Sequence, residues 1–491
     1  MRDRLILAAL VAATLFSLGW LVHPWFDAVN DAALYLLTAK SIAAGEGYSY
    51  LGSPFVIRPP GFSLLLTPLV AWRGLDFHAV NLAVSLCGVL AIALFFVWAR
   101  PRLGAPLAAC AALVLWLNPG WRVLGNQAMS DLPGAALLML GLILERSARR
   151  SPSRSGDVLL GICIGLSAYV RAGLVLLLPA VLLQRAWARA RAGGDPWPKF
   201  ARERLLLVAI LPVLLLLPWK IRDALHRPEP PADQTALYDY STAMWHVDRG
   251  DPSSPRCTAA QVLARVPIRA RETLSTLGSR MRLDGGSAGH VAAGGLALLA
   301  ALVLLLRKNR AEGWFLLGTV ALMLVYFDFR ERLVLPVHLL VLAALAEGLL
   351  RGGERVLGPR GGRLAVAALL AALAIVDFDP RPRWGEIERE HQRDAERCRE
   401  IARVLPATGR LAAPFASWRY SVHLDRPVYT LFFGWDRGGG PAGAEAILDE
   451  YGIERVLISS DTPADRMMRP YFEGRYGVEE RVGDVSVVRV R

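Results

Sequence analysis

Residues 157–187 read DVLLGICIGLSAYVRAGLVLLLPAVLLQRAW, and how this stretch meets a bilayer sets the architecture of the whole chain. It is too long for one crossing of a hydrocarbon core about 30 Å thick, and barely long enough for two. The interruption at Arg171-Ala172-Gly173 makes it a hairpin. One other segment is equally ambiguous. Gly61–Trp72 is apolar over only about 12 residues, which suits an interfacial helix better than a span. With both choices made, the basic loops fall on one side. These are Arg100/Arg102, Arg146/Arg149/Arg150/Arg154, Arg185 through Arg204, Arg307/Lys308/Arg310 and Arg351/Arg355/Arg360/Arg363. They share the side of the N-terminus, which the positive-inside rule makes the cytoplasm. Making only one of the two choices turns part of the chain over and puts basic loops outside.

The remaining apolar residues also come in blocks rather than in amphipathic periods; 54% of the 491 residues are hydrophobic. The blocks are Leu5–Val22, His78–Ala99, Gly104–Leu117, Met129–Leu144, Val158–Val170, Leu174–Trp187, Leu205–Ile221, Val291–Leu306, Trp314–Phe327, Leu333–Leu350 and Leu364–Val376. The first follows a basic start, and His23-Pro24-Trp25 comes after it instead of a small-x-small cleavage site, so it reads as an uncleaved span. The expected fold is an all-α polytopic bundle of about eleven transmembrane helices in an inner membrane. Two long polar stretches, about 23–77 and 222–289, form its far-side loops. The net charge of +13 is accounted for by short-loop arginines, so no nucleic-acid partner is implied. Cys87, Cys110 and Cys163 lie in spans. Cys257 and Cys398 show no metal-ligand spacing and are not expected to pair.

Residues 1–378 form the membrane domain, and from about Asp379 the character changes. A charged helical run, Glu386–Leu405, leads into strand-like pieces at Arg410–Ala413, Val428–Phe432, Arg455–Ser459 and Val485–Val490. Helical stretches near Ala442–Tyr451 and Pro463–Gly474 separate the later pieces, giving a small α/β domain over 379–491. An odd number of spans makes it extracytoplasmic. Gly438-Gly439-Gly440 lacks the strand and the spacing of a nucleotide fingerprint.

Ionisable residues at the membrane face are costly, and the first polar stretch is richest in them. Asp31 opens an amphipathic helix that ends at Gly45, where it serves equally as a first-turn acid or as a reactive carboxylate. Arg58 precedes Pro59-Pro60, which holds it in an extended, rigid turn suited either to a phosphate ester or to interfacial snorkelling.

These residues resemble a known family. Asp31-x-x-x-Tyr35-x-x-x-Ala39, the closing Gly45 and Arg58-Pro59-Pro60-Gly61-Phe62 are similar to the first extracytoplasmic loop of GT-C membrane glycosyltransferases. The nearest group is the bacterial relatives of protein O-mannosyltransferases and of the aminoarabinose transferases that modify lipid A. Further matches follow in order over residues 1–350: Met129-Ser130-Asp131-Leu132-Pro133, then Gly165-Leu166 through Arg171, then Leu217-Pro218-Trp219-Lys220-Ile221-Arg222, then Arg332-x-x-x-Pro336. Two positions depart from the pattern. Ala32 stands where a second acid often follows the first, and Asp223 replaces a common Asn. The missing acid leaves few carboxylates for a divalent metal, and no other cofactor is expected.

The resemblance implies a polyprenyl-phosphate sugar donor and a glycan, lipid or protein acceptor. An acceptor hydroxyl needs a base as the anomeric bond breaks, for which Asp31 is the candidate. The phosphate leaving group needs fixed cations, for which Arg58, Arg171 and Arg332 are the candidates. Asp131 is a second candidate catalytic acid, orienting the acceptor or the neighbours of Asp31. Direct displacement inverts the anomeric configuration. Two other classes fit the same architecture: a lipid-linked oligosaccharide flippase, which should show matching broken-helix repeats that are not found here, and a non-catalytic scaffold with a degenerate site. Reporter fusions test the topology. Fusions after Arg150, Arg191 and Arg351 are expected to report the cytoplasm, and fusions at Pro255 and after Arg381 the opposite side. A cytoplasmic signal from the last would overturn the architecture.

Overall fold

A computed structural model of the chain describes residues 1–27, 30–192, 199, 204–226, 244–247, 254–281, 286–377, 384–415, 417–431, 435 and 440–491. The expected domain junction at 378–379, much of the 222–289 stretch and Gly438-Gly439 lie outside these residues. A helix covers each apolar block of the sequence. They are Arg2–Leu21, Phe77–Leu103, Ala105–Leu117, Asp131–Arg150, Arg154–Val170, Leu177–Ala192, Leu206–Leu225, Gly286–Arg307, Ala311–Val325 and Leu335–Asp377. The last holds two blocks, because Gly358 (φ 75°) and Pro359 break its ladder. By length and composition, 5 helical segments of the described residues are apolar enough to cross a membrane, or 6 if the bent pair Ala105–Leu117 and Pro119–Gly125 is one span. The other apolar helices are shorter or carry more charge.

Between apolar helices in lipid there is no hydrophobic gain from association, so close packing must hold them, and small residues allow it. Gly161 and Gly165 let helix Arg154–Val170 lie against helix Leu206–Leu225; a Cβ on Gly165 would sit 2.7 Å from the Leu215 side chain. Gly278 and Gly294 bring helices Ala259–Arg280 and Gly286–Arg307 into backbone contact, since a Cβ on Gly294 would fall 2.0 Å from the Leu274 carbonyl oxygen. Buried ion pairs close the end of the bundle where the basic loops gather. Asp157 binds Arg185 at 2.7 Å, Glu347 binds Lys308 at 2.8 Å and Arg310 at 2.5 Å, and Arg102 binds Glu312.

At the opposite end the first polar stretch forms a compact cap. Helix Asn30–Ala43 is followed by a hairpin, β1 (Ser49–Tyr50) and β2 (Ser53–Pro54), turned through Leu51 and Gly52, both at positive φ. Helix Gly61–Arg73 comes next. It buries Phe62, Leu66 and Val70 and leaves Leu64, Leu65 and Trp72 exposed.

The C-terminal segment is a five-stranded sheet of order β4-β3-β5-β7-β6, built from β3 (Arg410–Ala413), β4 (Val428–Thr430), β5 (Ile453–Ile458), β6 (Glu480–Val482) and β7 (Val485–Arg489). The first three run parallel and the last two antiparallel. Helix Ser417–Leu424 and β6 are additions to the expected elements; the first is short, the second charged and exposed, and neither carries a clear period. Aromatic and histidine side chains join this segment to the bundle. Phe26 and Phe77 pack with His391 and His423, and the Phe26 backbone N–H donates to Nδ1 of His391 at 3.3 Å. Lys40 of the Asp31 helix pairs with Asp425.

Candidate active site

The Asp31 carboxylate lies between two arginines from distant parts of the chain. Arg58 of the first polar stretch holds Oδ1, and Arg332 holds Oδ2. The three side chains keep 14%, 12% and 23% of their surface, so the group is largely but not wholly withdrawn from water. Burial alone raises a carboxyl pKa, but the two guanidinium groups outweigh it, with Arg171 adding to them. Together they bring Asp31 from 3.8 down to about 2. Its share of stability is therefore complete above pH 4 or so and is lost only as pH falls toward 2. Arg332 also donates Nη1 to the Met129 thioether at 3.3 Å.

Beside this group, Arg171 pairs with Asp131 at 2.8 Å, and Asp131 is almost fully buried. Asp131 sits in the first turn of its helix, but its carboxylate is used by Arg171, not as a cap. Ser130, at the N-cap position, makes no side-chain cap bond; its Oγ meets the Tyr35 hydroxyl at 3.3 Å. Tyr35 stands one helical turn after Asp31, on the same face, and its ring lies under Arg58 with 5.8 Å between centroid and Cζ. All five residues singled out from sequence thus come together: Asp31 with Arg58 and Arg332, and Asp131 with Arg171. Tyr35, Ser130 and Met129 join them. The Asp-x-x-x-Tyr spacing carried part of that signal, because one turn of helix puts Asp31 and Tyr35 on one face.

Glycines and one more arginine decide whether the loops can reach this geometry. Gly61 of Arg58-Pro59-Pro60-Gly61 lies against the backbone at Tyr169 and Val170; a Cβ there would fall 2.6 Å from the Tyr169 carbonyl. That contact brings the loop of Arg58 next to the turn of Arg171, where the chain leaves its helix in an extended conformation (φ −147°, ψ 109°). Gly134 clears the path of the Arg171 side chain, whose Cδ would lie 3.1 Å from an added Cβ. Arg222, the last residue of the Leu-Pro-Trp run, is not in the site. It donates to the backbone carbonyls of Tyr48 at 2.6 Å and Phe55 at 3.1 Å, gripping both sides of the hairpin. Tyr48 stacks edge-on against Trp219 and donates its hydroxyl to the Arg58 carbonyl at 3.1 Å. Asp223 pairs with Arg222 at 3.5 Å and Lys220 at 3.8 Å. Ala32 is fully buried, so its position could take a second acid only by burying another charge. Among the described residues, no group of three His, Cys, Asp or Glu side chains could hold a metal ion.

The capped helical bundle followed by a C-terminal sheet shares its fold with two proteins of known structure. Over 98% of its length the chain is similar to ArnT from Cupriavidus metallidurans bound to undecaprenyl phosphate, with 97% of that chain covered, a TM-score of 0.65 and 15% identity. The apo form of the same protein matches with a TM-score of 0.63, 16% identity and the same coverage. The Archaeoglobus fulgidus oligosaccharyltransferase in complex with Zn and sulfate matches 92% of this chain and 67% of its own, with a TM-score of 0.54 and 14% identity. A family model described as dolichyl-phosphate-mannose-protein mannosyltransferase matches residues 57–219, from just before Arg58 to Trp219. No curated protein sequence matches the chain.

The two glycines differ in what opposes them, and that difference can be measured. Gly61→Ala meets rigid backbone and is expected to lower stability by about 1–3 kcal/mol, read as a lower melting temperature of the purified protein. Gly134→Ala meets only the flexible stem of Arg171 and is expected to cost less. Equal melting temperatures for wild type and Gly61→Ala would show that the Arg58 loop does not rest on helix Arg154–Val170.

Proposed function

We propose that the protein moves a sugar from a polyprenyl-phosphate donor to a hydroxyl acceptor at the far face of the inner membrane, with inversion and with Asp31 as general base. The observation that carries this reading is the convergence of Arg58, Arg171 and Arg332, from three separate elements, around Asp31 and Asp131. Arginines used only as interfacial anchors would point outward to headgroups around the perimeter. The undecaprenyl phosphate bound by the structurally similar ArnT supports a lipid phosphate as the anion these arginines meet.

In the proposed reaction the acceptor oxygen attacks the anomeric carbon from the face opposite the phosphate. Its proton passes to a carboxylate oxygen of Asp31, the bond between carbon and phosphate oxygen breaks, and the electron pair leaves with the phosphate. The arginines meet the charge that grows there. The ligand-free site adds a requirement. A carboxyl held at about 2 is a feeble base, and it is held there by the same two guanidinium groups that a phosphate would attract. As the donor draws Arg58 and Arg332 toward itself, their pull on Asp31 weakens and burial, which acts the other way, raises its basicity. The base is thereby switched on by the donor, and acceptor activation without a donor is suppressed. Asp131, in this scheme, holds Arg171 in line.

Asp31→Asn separates the two roles. Transfer from a polyprenyl-phosphate sugar is expected to fall by about a hundredfold or more. Binding of undecaprenyl phosphate should persist or tighten, because a carboxylate no longer competes for Arg58 and Arg332. In the wild type, the acid limb of the rate at saturating donor should lie well above pH 2, since activity is lost as pH falls through the raised pKa. Near-normal transfer by Asp31→Asn would remove Asp31 as the base. Loss of lipid-phosphate binding in a folded Asp31→Asn protein would remove the competition.

A further inference from the structure

We infer that Arg280 is a fourth cation of the same anion site, contributed by helix Ala259–Arg280; this inference rests on the lipid-phosphate reading above. Arg280 is the last residue of an amphipathic helix that opens on a complete Thr258–Gln261 capping box. Its carbonyl is held by Nδ2 of Asn118 at 3.3 Å, which fixes the end of the helix against the bundle. The guanidinium lies against Gly120, where an added Cβ would meet Nη1 at 2.2 Å, so a larger residue there would displace the side chain. Nη2 donates to the backbone carbonyl of Glu331 at 3.3 Å, placing Arg280 next to the residue that precedes Arg332.

The rest of the Arg280 guanidinium is unmatched among the described residues. Nε and Nη1 are buried and have no hydrogen-bond partner among the described residues. Asp131, Glu331 and Asp377 surround the group within Coulombic reach but make no close pair with it. Buried donors left idle forfeit the hydration of a full charge, which a purely structural arginine avoids. Two arginines on the same helix illustrate the structural case. Arg265 donates to the carbonyl of Met244 at 2.8 Å, and Arg269 donates to the carbonyls of Tyr326 and Phe327 at 3.1 and 2.6 Å and to Glu272. Their donors are spent on backbone carbonyls, those of Arg269 in the loop before the Arg332 segment. Arg280 instead keeps buried, unmatched donors next to the Arg332 segment and within Coulombic reach of Asp131, where the other arginines already meet. A phosphate oxygen suits those donors, because the planar fork offers two parallel donors to one tetrahedral anion.

The test uses the full-length purified protein and undecaprenyl phosphate as the probe, with affinity and ligand-free melting temperature measured for each variant. Arg280→Gln keeps a donor for the Glu331 carbonyl and is expected to weaken binding about tenfold, as loss of one charged hydrogen bond does, with little change in melting temperature. Arg280→Lys keeps the charge without the fork and is expected to fall between Gln and wild type. It also serves as the readout if the Gln variant does not fold. Wild-type affinity in a folded Arg280 variant, with Arg58→Gln impaired, would remove Arg280 from the site and leave the lipid-phosphate reading intact. Unchanged affinity in both Arg280→Gln and Arg58→Gln would remove that reading itself.

Discussion

A carboxylate held between two guanidinium groups is the interaction on which the described end of this bundle depends. Asp31, Arg58 and Arg332 lie far apart in sequence, and each charge is mostly hidden from water. Such a group repays its desolvation only when every partner is in place, and removing one partner from a buried pair typically costs about 3–5 kcal/mol. The surrounding structure can therefore be read as support for that arrangement. Gly61 seats the Arg58 loop on the neighbouring helix, Arg222 clamps the hairpin before it, and Tyr48 links the clamp to the Arg58 carbonyl. Thr38 and Ser63, 2.8 Å apart, tie the helix of Asp31 to the helix that follows Arg58. The arginine that ends the Leu-Pro-Trp signature thus acts through geometry, at a distance from the charges it positions.

The same triad sets a tension between stability and chemistry. The contacts that make the site stable also make Asp31 a poor proton acceptor. In the proposed reaction the tension is useful, because the lipid phosphate that must leave as an anion is also the group best able to draw the arginines off the base. Strain and unpaired charge tolerated near a site commonly serve such a role. The unmatched donors of Arg280 belong to the same economy of charge.

The C-terminal segment is coupled to the site through the Asp31 helix. Helix Ser417–Leu424 packs on helix Asn30–Ala43, Lys40 pairs with Asp425, and the Tyr429 hydroxyl reaches the Leu51 carbonyl at 3.4 Å. The Phe26, Phe77, His391 and His423 rings fill the joint just ahead of that helix. Burial holds the His423 imidazole at about 4, with His391 and Arg419 adding to the effect, so at neutral pH the joint carries neutral rings. A sheet that touches the helix bearing Asp31 on one side can affect how that helix sits without contributing a residue to the site.

Much of this was legible in the sequence, for a local reason. Apolar run length and the placement of arginines depend on the bilayer and on neighbouring residues only, so the helical blocks and the break at Arg171 could be read directly. The strands β3, β4, β5 and β7 were visible as short apolar runs between turns. Asp31 and Arg58 stood out because charges at a membrane face are rare, and the family resemblance brought Asp131, Arg171 and Arg332 beside them. Their pairing was not legible: no local pattern says that Arg332 meets Asp31 and Arg171 meets Asp131. Nor could sequence tell Arg222, which grips the hairpin backbone, from Arg280, whose Nε and Nη1 have no partner among the described residues, because both are arginines in the last turn of a helix. Sequence determined which charges exist and roughly at what depth. Only the tertiary structure decided which of them satisfy one another, because that depends on contacts between residues separated by more than three hundred positions in the chain.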